Sequence, residues 1–203
     1  MARSSSIATP VIAPGPDVLA ELLSSRVRAA VLGFLVARGD ERFSLTELAR
    51  ALDLSISSVQ HECYKLERLR VLKGRREGAS RRYRLDWETP IVEPLTDLVV
   101  AVLGREHLLG HALVDIAGLQ GALLVEFPET QLILIGDLGL EELEIVLERA
   151  ASVPGVDGDA LDVAFYGTDA WREHRESDSS LITDLRTRNP VLLTGDPKRI
   201  LPG

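Results

Sequence analysis

The side chains best suited to chemistry with a polyanion lie between positions 65 and 84, where nine basic residues meet two acidic ones. Within the stretch VLKGRREGASRRYRLD, residues 71–86, Lys73, Arg75, Arg76, Arg81, Arg82 and Arg84 crowd around one glycine-containing turn. A guanidinium is always charged and presents its donors as a fork that matches phosphate oxygens. Six cations at this spacing repel one another unless an anion neutralises them. Other reactive residue types are sparse. Cys63 is the single cysteine, so no internal disulfide and no thiolate zinc site can form. As an inward-facing helical residue it reads as a small core side chain. His107, His111 and Asp115 are spaced four apart, which stacks them on one helical face, but no fourth ligand accompanies them. Solvent-facing or capping roles suit them better, and no metal or cofactor is expected.

The surrounding chain is acidic, with a net charge of -8 over 203 residues. Residues 20–85 hold 14 basic and 8 acidic side chains, whereas residues 86–203 hold 8 and 22. This contrast predicts two domains with different partners, the first facing a polyanion. The start, MARSSSIATPVIAPGPD, lacks the continuous apolar stretch of a signal peptide, and no run of 18 apolar residues follows. Residues 1–19 are expected to be a disordered tail, and the protein to be cytoplasmic with no membrane partner.

The elements that position the cations are legible in the preceding residues. From Ser25, Val27, Ala30, Val31, Phe34 and Leu35 recur at helical spacing, and Gly39 marks the stop. SLTELARALDL opens with Ser44 and has Glu47 three residues on, the pattern of a capping box, with Leu45, Leu48, Ala49 and Leu52 as its apolar stripe. Ser55 caps a third helix, whose inward face is expected to hold Val59, Cys63, Leu66 and Leu69 or its neighbour. Two short helices joined by a tight turn form a helix-turn-helix. VLKGRR and SRRYRL then read as two strands joined by the turn EGA. Tyr83 and Leu85 alternate there with Arg82 and Arg84, so one face can pack while the other carries charge.

The segment from Leu45 to Leu85 resembles winged helix-turn-helix transcriptional regulators of the ArsR and MarR-like class over about a third of the chain. The family often has Gly where Arg70 stands. The resemblance implies that Ser57, Ser58, Gln60, His61, Tyr64 and Lys65 face a major groove, while Arg75, Arg76, Arg81 and Arg82 sit on the wing. It implies double-stranded DNA as the partner for residues 20–86.

Residues 87–118 read as a connecting helix, broken near Gly104. Its apolar face through Leu95, Leu98, Val99, Val102 and Leu103 is suited to packing against a second copy, so a homodimer is expected. Residues 119–203 alternate apolar strands with amphipathic helices, giving an α/β domain and, for the whole chain, an α+β class with a small mixed sheet. The strands GALLVEF and QLILIGD are too close for a crossover and should pair antiparallel. This half resembles a nucleotidyltransferase-like domain. The resemblance implies a Gly-Ser loop after the first strand and paired metal-binding carboxylates, whereas here Phe127 runs into Pro128 and the metal positions fall on Glu129 and Gln131. Asp162 matches a third carboxylate.

A sequence-specific regulator with a catalytically inactive second half is therefore expected, that half serving for dimerisation or for contact with a protein or small-molecule effector. The alternatives are a nucleotide-binding or nucleotidyltransferase enzyme and an antitoxin-like protein adaptor.

Overall fold

Pro16 fixes the backbone for the first turn of a helix and Asp17 complements its positive end, so the chain enters helix α1 (Pro16–Leu22) directly after Gly15. The structure is a computed structural model and describes residues 15–126, 129–158 and 161–202. Leu19 is fully buried, so the expectation of a disordered segment up to residue 19 fails for residues 16–19. Residues 1–14 lie outside the described residues.

Ser25 caps α2 (Arg26–Ala37) by accepting the Arg28 amide at 3.2 Å. The sequence suggests one apolar stripe here, yet every residue from Val31 to Ala37 is buried. The reason is position: α1, the helix that begins at Ile56, the helix that begins at Val92 and the strand that begins at Ser80 all pack around α2. Phe43 and Ser44 form a short strand, β1 (Phe43–Ser44), which leads into α3 (Leu45–Ala51). The capping box forms as its residues require: Ser44 Oγ accepts the Glu47 amide at 3.3 Å, and the Ser44 amide donates to Glu47 Oε2 at 2.7 Å.

After a tight turn, Ser55 Oγ accepts the Ser58 amide and starts α4 (Ile56–Arg68). Val59, Cys63 and Leu66 are buried as their spacing demands. Leu69 is not; it is 61% exposed, because the helix ends there and the chain reverses. Arg70 takes a left-handed conformation, φ 58°, and the Val71 amide returns to the Leu66 carbonyl at 2.9 Å. This is the helix ending in which glycine is favoured, and Arg70 occupies it at a cost of about 1 kcal/mol.

The wing is a hairpin of β2 (Leu72–Glu77) and β3 (Ser80–Leu85), one residue longer on the first strand than the turn EGA suggests, since Glu77 pairs with Ser80 and only Gly78 and Ala79 turn. β1 pairs with the free side of β3, giving a three-stranded antiparallel sheet in the order β1-β3-β2. Tyr83 and Leu85 are buried, as the alternation requires. Three helices followed by this hairpin make a winged helix-turn-helix region.

Helix α5 (Val92–Ala112) is broken at Gly104, whose φ of 73° and ψ of 165° no helix contains. The dimer face expected on α5 is largely spent inside the chain. Val99, Val102 and Leu103 are buried, packed with α1 and α2, which leaves Leu98 at 39% exposure and Leu95 half-buried. Apolar periodicity shows that a face is covered and not by what.

β4 (Leu119–Val125) and β5 (Gln131–Gly136) pair antiparallel, as the short connection requires. α6 (Leu140–Ala151) then crosses over to β6 (Asp162–Tyr166), parallel to β5. α7 (Thr168–Glu176) and α8 (Ser180–Thr187) lead to β7 (Val191–Gly195), antiparallel to β4, and α9 (Pro197–Ile200) follows. The sheet order is β6-β5-β4-β7. Both faces are covered, which is why its central strands read as unbroken apolar runs. Leu123, Val125, Ile133 and Ile135 pack with Trp171, Ile182, Leu185 and Ile200, whereas Ala122, Leu124, Leu132 and Leu134 share a cluster with α2, α4 and α5. That second cluster is one core running through both halves of the chain. Arg38 adds to the junction: buried at the end of α2, it donates to the carbonyls of Ala112 and Val114 and pairs with Glu41, which also holds Arg149 of α6.

Candidate nucleic-acid interface

Helical spacing puts Ser57, His61 and Tyr64 on one side of α4, and all three are exposed. Gln60 flanks them, half-buried, and donates from Nε2 to the Tyr64 hydroxyl at 2.9 Å. That bond orients an amide and a phenol together, leaving the Gln60 carbonyl oxygen for an outside donor. Ser58 is exposed but engaged by the cap, since Ser55 Oγ donates to Ser58 Oγ at 2.8 Å. Lys65 lies toward the core side, where its ammonium meets Glu62 at 3.2 Å. Of the six α4 residues singled out in the sequence, Ser57, Ser58, His61 and Tyr64 are exposed, Gln60 and Lys65 are half-buried, and Ser55 Oγ also lies 3.2 Å from Ser57 Oγ. Sequence reasoning passed over Arg68, which continues the Ser57–His61–Tyr64 row by one turn, is exposed and has no ion pair among the described residues. The four-residue interval from Tyr64 could have found it.

Glu62 explains why Lys65 turns. It is buried and accepts Arg28 Nε at 2.9 Å as well as Lys65. Burial works against its ionisation, but the hydrogen bonds and charges of Lys65 and Arg28 outweigh that and hold its carboxyl below the usual value. Cys63, beside it, is pushed up to about 12 by burial and then by Glu62 and Glu67, so its thiol stays protonated and unreactive at neutral pH.

On the wing, like charges face each other across the hairpin: Arg75 opposite Arg82, Arg76 opposite Arg81, and Lys73 opposite Arg84. Directly opposed like charges destabilise a strand pair. The chain offsets this along β3 and at Lys73 of β2. Arg81 pairs with Glu67 of α4 and lies 5.9 Å from the Tyr83 ring centroid; Arg82 pairs with Glu47 and donates to the Arg42 carbonyl; Arg84 pairs with Asp40. Lys73 reaches Glu88 at 2.9 Å. Arg75 and Arg76 are exposed and have no carboxylate among the described residues. Arg81 and Arg82 are therefore structural cations in the free protein, and Arg75 and Arg76 are the unneutralised ones.

Gly74 makes the Arg81 latch possible. Its amide donates to Glu67 Oε1 at 3.2 Å, and a Cβ at this position would stand 2.5 Å from that oxygen and 2.6 Å from Arg81 Nε. Glu47 is anchored similarly. Burial opposes its ionisation, yet the Ser44 amide and hydroxyl, then Arg82 and Arg50, outweigh it and lower its pKa.

In the second half the three positions matched to metal ligands do come together. Gln131 and Asp162 are register partners on adjacent parallel strands, and Gln131 Nε2 donates to Asp162 Oδ2 at 2.6 Å. Arg188 closes the group, reaching Gln131 Oε1 and the Glu129 carbonyl, each at 3.5 Å. Of the three positions, Glu129 and Asp162 carry carboxylates and Gln131 an amide, and the Arg188 guanidinium stands beside them. Phe127 and Pro128 lie outside the described residues. Among the described residues no three His, Cys, Asp or Glu side chains converge to hold a metal ion, and His107 and His111 are not joined by Asp115, which pairs with Arg50. No helix among them is long and apolar enough to cross a membrane.

Compared with known proteins, the chain matches no family and no curated protein. It is similar to solved structures of HlyU from Vibrio cholerae N16961. The reduced form is 24% identical, with a TM-score of 0.31, covering 41% of this chain and 87% of that one. A second HlyU structure is 24% identical, with a TM-score of 0.32, covering 42% and 88%.

Proposed function

We propose that the protein is a sequence-specific double-stranded DNA-binding transcriptional regulator. The observation that carries this reading is the outward row Ser57, His61, Tyr64 and Arg68 on α4, joined by the Arg81–Glu67 latch to a wing whose Arg75 and Arg76 have no carboxylate among the described residues. In this reading Ser57, Ser58, Gln60, His61 and Tyr64 meet base edges, and Arg75 and Arg76 meet phosphates. Lys65, Arg81 and Arg82 support the interface from within. Gel shifts against genomic fragments test the reading. Gln60→Ala relaxes discrimination at one or two base pairs by about 1–3 kcal/mol. A footprint unchanged when Ser57, Gln60, His61, Tyr64 and Lys65 are all replaced by alanine overturns it.

The regulator acts as a homodimer reading half-sites about 10 base pairs apart or a multiple of that. Support comes from apolar side chains left exposed on two helices that touch: Val18 and Leu22 on α1, Ile91 and Leu98 along α5. Sedimentation at micromolar concentration checks this. The second half transfers no nucleotide, a reading supported by the Gln131 amide bonded to Asp162, by the Arg188 guanidinium whose charge opposes divalent ions beside it, and by the strong acidity of the half. Label transferred from nucleoside triphosphates with Mg²⁺ or Mn²⁺, and abolished by Asp162→Asn, reverses that assignment.

A further inference from the structure

Small residues leave a space where the two halves of the chain meet. Ala29 and Ala30 of α2, Ala51 of α3 and Gly110 of α5 border a cavity of about 600 Å³, which the edge strand β7 lines from the other half. That volume is in the range of small-molecule sites. Its walls are mainly aliphatic, with Leu19, Leu52, Leu103 and Leu193 among them. Polar groups enter chiefly from α5 beyond the Gly104 break, where Glu106 and Gly110, and His107 and His111, repeat at four-residue spacing toward the same space.

These polar groups are acceptors. Glu106 is half-buried and has no ion pair or hydrogen bond among the described residues. His107 donates Nδ1–H to the Leu103 carbonyl at 2.9 Å, so in the neutral form of the ring Nε2 is the acceptor. His111 makes no hydrogen bond among the described residues, and its ring meets Phe34 edge-on. Burial, then the charge of His107, lowers the His111 pKa to about 4, so its imidazole is neutral at neutral pH. Two charges of opposite sign, Arg26 and Asp17, also border the cavity, both exposed and without an ion pair among the described residues; their formal charges cancel. The lining thus carries one net negative charge, and Glu106 is its more buried carboxylate.

We propose that this cavity is a binding site for a small organic amine, its apolar body against the aliphatic walls and its ammonium on Glu106 and the neighbouring imidazole nitrogens. The occupant touches α3, the first helix of the helix-turn-helix, and β7 of the second half at once. The site does not depend on the DNA-binding reading, and its test uses no DNA. Tryptamine and indole-3-acetate carry the same ring with opposite charge. Titrated into the full-length protein and followed by two-dimensional NMR of the backbone amides, tryptamine should bind about tenfold more tightly, the value of one partly shielded ion pair. Shifts should centre on residues 103–114 and 191–194. Glu106→Gln should abolish the preference while leaving the protein folded by its spectrum. Ala30→Leu, which fills the space with an apolar side chain, should weaken both probes. Equal or tighter binding of indole-3-acetate, binding indifferent to Ala30→Leu, or no shifts with either probe at millimolar concentration would each overturn the proposal.

Discussion

Arg75 and Arg76 on β2 face Arg82 and Arg81 on β3 across a single hairpin, and yet only the β3 pair is held by carboxylates of neighbouring helices. The strands differ in neighbours more than in charge. β3 is the central strand of its sheet, flanked by β1 and β2, so its side chains reach α3 on one face and α4 on the other. β2 is an edge strand whose outer half leaves the body of the protein. A cation on β3 finds Glu47 or Glu67, while one on β2 beyond Gly74 finds water. Equal counts of arginine thus split into a structural set and a set available to an external anion.

The largest effect expected from disturbing this division comes at Gly74. Gly74→Val drives a branched side chain into Glu67, Arg81 and the Tyr83 ring, and should cost about 1–3 kcal/mol of stability, read from the denaturant midpoint. A midpoint unmoved by this change means the latch is not packed as described.

Next in size is the loss of the free cations. Arg75→Ala with Arg76→Ala should weaken binding to all DNA sequences about tenfold or more and make the slope of log affinity against log salt shallower by about two units. The melting temperature should hold or rise, since two like-charge oppositions are removed.

Arg81→Ala with Arg82→Ala should do the reverse. Both residues are a third to a half exposed, so their ion pairs contribute about 1 kcal/mol or less between them. Stability should fall by that amount and the salt slope stay within half a unit or so of the parent. A slope that drops by two units for this pair would erase the distinction between the strands.

The smallest effect is that of mild acid. The folded-state pKa of Glu47 lies below its ordinary value, so its contribution to stability is complete above pH 4.5 and disappears as pH falls through the lowered value. Glu47→Gln should remove that part of the acid sensitivity, seen as a flatter plot of unfolding midpoint against pH below 4.5.

Local rules were fully legible in the sequence. The capping box of Ser44 and Glu47 and the cap at Ser55 involve groups within three residues of one another, so no distant contact was needed to foresee them. The burial of Tyr83 and Leu85 follows from the two-residue period of a strand. The antiparallel pairing of β4 with β5 follows from the length of their connection. Tertiary structure alone decided that α2 is enclosed on all sides, that Val99, Val102 and Leu103 serve the chain's own core, and that Leu69 turns outward where the helix ends. It also decided which arginines are free. Glu47 and Arg82 are 35 positions apart, Glu67 and Arg81 fourteen, and Gln131 and Asp162 thirty-one. Nothing in the spacing of such residues fixes their meeting, because an ion pair is made by side chains that packing has already brought within reach.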